Sequence, residues 1–318
     1  MTREPQRGAA LLLAMMIVAL VATLATAMIW QQWRAVQIES IERARSQSAW
    51  ILGGARAWAK RVIREDRNQA GGDHLGEVWA VPLAEARLST FLAADKENTD
   101  GGPEAFLSGS IVDAQARFNL RNLVMIDAAT NTAKRVKEQA DAFLQLCKGL
   151  GISVDAADRI IAGMVQAYAP VPVPTAPLQP HSVGQLAWMG IDTATIARLE
   201  PYAIVLPGTV VTKININTAP AEVIAAAAQI DPSHAVALVQ ARARKPFGSL
   251  SDAQTAAGLQ NPLSSALFDV GTLHFEVRGR LRLDRRILEE VSLVRRTAPG
   301  TVATEVDRHR GSLQEIGP

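Results

Sequence analysis

The sequence predicts an α+β protein: one long N-terminal helix that enters a membrane, a small antiparallel sheet, and a large helical insertion within it. Three observations predict this. An uncharged apolar run occupies residues 9–30, alternating β-type segments stand far apart near residues 106–124 and 273–295, and most of the chain between them reads as helix. The 318 residues carry 33 basic and 31 acidic side chains, for a net charge of +2, so bulk electrostatics gives no basis for nucleic-acid binding. Cys147 is the one cysteine, which excludes an internal disulfide or a cysteine metal cluster.

Residues 1–8 form a short polar leader with Arg3 and Arg7. Ala9 to Trp30 follows without a charge, roughly 33 Å as a helix and long enough to cross a bilayer. Trp30 and Trp33 stand where an interfacial aromatic belt belongs, and the basic leader favours a cytoplasmic N-terminus. Ala25-Thr26-Ala27 could serve as an ordinary signal-peptidase site. No turn residue follows it, however, and Ile41, Ala44, Ser48, Ile51, Ala55, Trp58 and Val62 continue at helical spacing. One helix from Ala9 to about Arg67 is expected, with Gly53-Gly54 as a weak point costing on the order of 1 kcal/mol per glycine.

Beyond it, 68–73 and 95–103 read as loops, Val78, Trp79 and Val81 as a short apolar stretch, and Leu83 to Leu92 as a helix. Phe106 to Val112 and Ala116 to Val124 read as strands. Helices are expected over Ala133 to Leu150, from Ser153 or Asp155 to Tyr168, over Ser182 to Trp188, and from Asp192 to about Tyr202. Five prolines between Pro170 and Pro180 force an extended loop. A β-branched run, Val210 to Ile216, precedes helices at Ala221 to Gln229, Ser233 to Arg244 and Ser251 to Ala256, with Thr218 as an N-cap. Leu273 to Gly279 and Leu283 to Arg295 close the fold as antiparallel strands, and the tail past Thr297 is expected to be disordered.

No nucleotide loop, zinc-protease helix or nucleophile elbow occurs, so no catalytic residue and no enzyme activity are expected. His74, His181, His234, His274 and His309 have no metal-ligand spacing and read as surface or loop residues. Asp155 and Asp158 suit a helix N-terminus. Arg278, Arg280, Arg282, Arg285 and Arg286 read as a solvated strand face.

The leader ending in Gly8, followed by the apolar helix, resembles the class III signal of type IV pilins and pseudopilins. The resemblance implies cleavage by a prepilin peptidase between Gly8 and Ala9, then methylation of the new N-terminus. The fifth mature position is Leu13, where most pilins carry a Glu taken to pair with a neighbouring subunit's amine. Among pseudopilins, protein K of the type II secretion system is known for that absence. Residues 111–123, IVDAQARFNLRNL, resemble its D-x-Q-x-R-F-N-L-N stretch, with Arg121 at a frequent Asn, and residues 214–224, ININTAPAEVI, resemble its I-N-V-N-T-A-P-A-E-V-L segment.

The chain is therefore identified as a member of the protein K family. The resemblance implies a minor pseudopilin that caps the pseudopilus tip and helps initiate its assembly. It is expected in the bacterial inner membrane with a periplasmic head. Expected partners are minor pseudopilins I and J, other pseudopilins and the peptidase, with no nucleic acid. Leu13, Ile41, Ala44, Ile51, Ala55, Trp58 and Val62 are the expected assembly-helix residues.

The implied organisation is a leader (1–8), a transmembrane helix (9–30), and the periplasmic helix with the first part of a pilin-like domain (31–126). Two helical modules of SAM-like or helix-hairpin-helix type follow (127–208 and 209–268), then closing strands (269–296) and a tail (297–318). Family members are reported to bind calcium in acidic loops of the insertion. Here no Asp or Glu lies between Ile160 and Ile191, so no metal and no cofactor are expected. Ile214 to Leu250 also resembles the helix-hairpin-helix of DNA-uptake receptors, which leaves a membrane-tethered DNA-binding protein as one alternative and a type IV minor pilin as another. The hairpin, Gln229-Ile230-Asp231-Pro232-Ser233-His234, lacks the glycines that let a phosphate approach.

Overall fold

A computed structural model describes residues 7–66, 72–88, 105–171, 173–208, 211–283, 286–296, 304–311 and 314–315. Residues 1–6 of the leader, the loop at 95–103 and most of the loop at 68–73 lie outside them.

Helix α1, Arg7–Asp66, runs unbroken for 60 residues, about 90 Å. Gly53 and Gly54 do not interrupt it, because the strands beneath hold both flanking turns. The strands are β1 (Leu83–Arg87), β2 (Ala105–Asp113), β3 (Phe118–Asn119), β4 (Val124–Asp127), β5 (Thr132–Arg135), β6 (Ala203–Ile204), β7 (Ile214–Asn215), β8 (Phe268–Asp269), β9 (His274–Leu283), β10 (Arg286–Arg295), β11 (Thr304–Arg310) and β12 (Gln314–Glu315). The remaining helices are α2 (Lys137–Gly149), α3 (Val154–Ala167), α4 (Thr193–Leu199), α5 (Ala221–Ala228), α6 (Pro232–Arg244) and α7 (Leu250–Ala256).

The main sheet is antiparallel, in the order β1-β2-β9-β10-β11, with β12 also pairing β10. Asp113, the last residue of β2, lies opposite Phe275 near the start of β9. The whole insertion thus leaves and re-enters the sheet between neighbouring strands, so it costs the ladder nothing. Its core is one cluster from Phe118 to Phe268, drawing on both helical blocks: Phe143, Leu146, Ile160 and Met164 pack with Ile216, Ile224 and Leu238. The two expected modules share this single core.

Several expectations fail for local reasons. Of the helix expected over Leu83 to Leu92, residues 83–87 instead form edge strand β1, where pairing with β2 overrides propensity, while Leu88 is helical and 89–92 lie outside the described residues. Residues 114–124 are two 3₁₀ turns around the two-residue β3, because Asp113 and Asn119 each cap the turn that follows them. The helix expected from Ala133 starts at Lys137, since 132–135 pairs with β4. Of the run Val210 to Ile216, Ile214–Asn215 is the one strand among the described residues, 211–216. The first closing strand continues through Gly279 to Leu283. The tail carries β11 and β12, which pair with β10. The caps at Ser153 and Asp192 form as expected, accepting from the N–H groups of Ala156 and Thr195.

Candidate assembly surface and the joint that holds it

Helix α1 meets three environments. From Ala10 to Arg43 it is exposed all round, including Leu13 and Ile41. From Ala44 onward it docks on the sheet through Ala44, Ser48, Leu52, Ala59 and Ile63. Leu52 packs with Leu107, Leu281 and Leu288, while Ala59 and Ile63 pack with Trp79, Ile111, Phe275 and Val294. Arg56 pairs with Glu290, buried on the face of the sheet beneath. The face that docks on the sheet is thus turned by about one residue from the stripe expected to meet partner helices. Ala44 and Ser48 lie on it, Ile51, Ala55 and Val62 flank it half-buried, and Trp58 faces out.

On that outward flank Trp50, Ile51, Gly54, Ala55 and Trp58 form, with Leu83, Leu88 and Leu107, an apolar cleft of about 540 Å³. Trp50 is 81% and Trp58 57% exposed. Space is open above Gly53 and Gly54, where an added Cβ would meet nothing within 4 Å. Glycine here serves no packing need within the described residues, and it lets another backbone come close. A polar stretch separates the cleft from the bare apolar half, with the pairs Glu39–Arg43 at 2.9 Å and Glu42–Arg45 at 3.3 Å.

The two sequence motifs, about a hundred residues apart, meet at the base of the insertion. The Asp113 carboxylate is fully buried and accepts from Gln115 N (2.7 Å), Asn215 Nδ2 (2.9 Å) and Thr218 Oγ1 (2.6 Å). Burial raises its pKa, and these hydrogen bonds hold it down. Thr218 is therefore not a helix cap; Pro220 takes that position. Asn215 Nδ2 also donates to the Asp73 carbonyl at 2.9 Å, and Gln115 Oε1 accepts from Leu273 N at 2.7 Å. Asn119 and Asn122 hold Thr212, and Asn217 pairs with the Phe247 backbone in both directions at 2.9 Å. These residues offer no free ligand position; they weld the insertion to the sheet.

Sequence reasoning missed the cluster next to this joint. Asp66, Asp73 and Glu77 bring carboxylate oxygens within 4.8 Å of one another, the one such group among the described residues. Arg296 already stands there, bonded to Asp73 and, at 3.2 Å, to Asp66, while Glu77 accepts from Trp79 Nε1 at 2.6 Å. Burial, then Glu77 and Asp73, raise the Asp66 pKa to about 6 against the pull of Arg296. Arg296 thus balances two of the three carboxylates.

His274 is buried on β9, contrary to the surface or loop position expected. Its Nδ1 lies 3.1 Å from Gln115 Oε1, and burial lowers its pKa to about 4. His181, His234 and His309 are exposed. Arg278, Arg280 and Arg282 pair with Glu276, Glu289 and Glu85; Arg285 lies outside the described residues. In the hairpin, Asp231 accepts from Ser233 N (2.8 Å) and Oγ (2.6 Å), so a carboxylate occupies the helix N-terminus where a DNA phosphate would bind. The side chains of Gly8 and Ala9 lie outside the described residues.

A family model described as type II secretion system protein K matches residues 214–271, and a second with that description matches residues 116–208. Type II secretion system protein K of Pseudomonas aeruginosa is 29% identical, over 94% of this chain and 92% of its own. The protein K of Pectobacterium carotovorum is 28% identical, over 99% of this chain and all of its own. A chain in the crystal structure of the GspK–GspI–GspJ complex from enterotoxigenic Escherichia coli shares the fold, with a TM-score of 0.66 and 19% identity, covering 85% of this chain and 98% of that one.

Proposed function

We propose that this chain, a minor pseudopilin of the type II secretion protein K family, caps the tip of the pseudopilus and helps start its assembly with minor pseudopilins I and J. Its function is packing, not catalysis. The carrying observation is α1: its first half is bare and uncharged through Leu13, and its second half keeps one face open after docking on its own sheet.

The bare half sits in the inner membrane with the head in the periplasm. With Leu13 in place of an acid, no carboxylate is available for the amine of a subunit stacked above, and a charge unpaired in lipid would be costly. That suits the last subunit of a filament. The cleft at Trp50, Gly54 and Trp58 lies about 30 Å beyond Trp30 along the helix, out of reach of lipid, so its occupant is protein. Support for I and J as that protein comes from the shared fold, whose solved relative was crystallised with GspI and GspJ.

The test is the intact mass of the protein with and without a prepilin peptidase, followed by co-purification with I and J. A peptidase-dependent product starting at Ala9 that carries both partners supports the reading. A chain left whole, or cut near Ala27, overturns it.

A further inference from the structure

The loop 169–181 between α3 and the 3₁₀ segment Val183–Met189 is the least acidic part of the insertion. It has no Asp or Glu, and none lies anywhere between Ile160 and Ile191. The nearest acid after it, Asp192, spends both oxygens on Thr195, accepting from N at 2.8 Å and from Oγ1 at 2.7 Å. A hard divalent cation needs several oxygen ligands, usually carboxylates. The loop offers no carboxylate, yet it is pinned at both ends.

At its start, Tyr168 closes α3 and donates its hydroxyl to the Pro180 carbonyl, 3.0 Å away across the mouth of the loop. Beneath the ring lies Arg121, its guanidinium carbon 4.4 Å from the centroid. Arg121 is buried and donates to the Val124 carbonyl at 2.6 Å, and its N–H is held by Asn119 Oδ1 at 3.0 Å. Burial disfavours its charge, and the aromatic face and the carbonyl offset that. Between the pinned ends most described residues are exposed, Val171 to 77% and Leu178 to 70%, with Ala176 and Pro177 half-buried.

We infer that Arg121, Tyr168 and Pro180 form a metal-free clamp that fixes this loop, so that the insertion reaches its full stability without a divalent cation. A buried guanidinium already stands under the loop, and it would repel a second cation. The prolines narrow the unfolded ensemble of the loop, which lowers the entropy cost of pinning it. The clamp also ties the loop to the residues that hold the joint, through Asn119.

The experiment uses the full chain in detergent, melted in 1 mM calcium chloride and in EGTA, with limited proteolysis of the loop followed by mass spectrometry. The expected wild-type melting temperature is the same in both. Arg121→Asn should lower it by about 3–6 °C, an effect of the size a clamp of one to two kcal/mol gives in a domain this large. It should also speed cleavage at residues 171–178 about tenfold or more, and calcium should reverse neither effect. Tyr168→Phe keeps the ring and loses only the bond to Pro180. It should speed loop cleavage with little change in melting, which keeps the inference open to test if Arg121→Asn fails to fold. A wild-type melting temperature raised by about 5 °C or more in calcium would overturn it. So would loop cleavage that is unchanged in both variants.

Discussion

The weld at Asp113 and the cleft at Trp50 are opposites. At the weld every polar group is buried and paired, and partners come from β2, β7 and the loops beside them. At the cleft, large apolar side chains stand in water over two glycines that nothing in the described structure requires. The first is what a molecule needs to hold itself together; the second is what it needs to meet another. The contrast teaches that the motifs shared with protein K mark internal architecture, and that the cleft proposed to meet a partner carries no motif.

Substitutions should separate the two regions. Asp113→Ala strands the donors of Asn215, Thr218 and Gln115 in a buried site, and should cost about 3–5 kcal/mol in chemical unfolding. Leu52→Ala or Ile63→Ala, on the face of α1 that docks on the sheet, should cost about 2–5 kcal/mol. Trp58→Ala, a residue away from that face, should cost under about 1 kcal/mol in the isolated chain while weakening co-purification with I and J several-fold. If Trp58→Ala destabilises the lone chain as much as Leu52→Ala, the cleft is internal packing and the contrast collapses.

A smaller effect is expected from pH. The Asp66 carboxyl is raised from its ordinary value to about 6. A raised carboxyl favours the fold when protonated, so its contribution is full below about 4 and is lost as pH rises through about 6. Asp66→Asn should therefore flatten that part of the stability profile and stabilise the chain slightly at pH 7.5. His274 acts oppositely: lowered to about 4, it removes stability as pH falls from about 6.5 towards 4. The difference between wild type and Asp66→Asn isolates the Asp66 share. Asp231→Ala should cost about 1 kcal/mol as a lost cap and should create no measurable affinity for duplex DNA.

Much of this was legible in the sequence. The length of α1 follows from an apolar run that passes without a turn signal into a helical stripe. The place of the insertion follows from two strand-like segments far apart. The cap at the hairpin follows from Asp231, whose carboxylate holds Ser233 at the helix N-terminus. What was not legible depends on partners distant in sequence. Leu83 to Arg87 has helix-forming composition and becomes a strand because β2 offers an unpaired edge. Thr218 looks like a cap and is instead drawn to Asp113. That α1 also docks on its own sheet was not legible, because Leu52 meets Leu281 from far along the chain and stands only about 100° round the helix from Ile51. Asp66, Asp73 and Arg296 come from three separate stretches and carry no local signal at all.

The most direct test of the central claim is disulfide crosslinking from the cleft. Cys147 is buried with its thiol pushed up to about 12, so it stays unreactive and a single introduced cysteine reports alone. Gly54→Cys, expressed with minor pseudopilins I and J that carry cysteines along their own N-terminal helices, should crosslink to one of them in the membrane. Ser251→Cys, on α7 of the insertion, should not. Crosslinks from Ser251→Cys and none from Gly54→Cys, in a complex that still assembles, would contradict the account and place the assembly surface on the insertion.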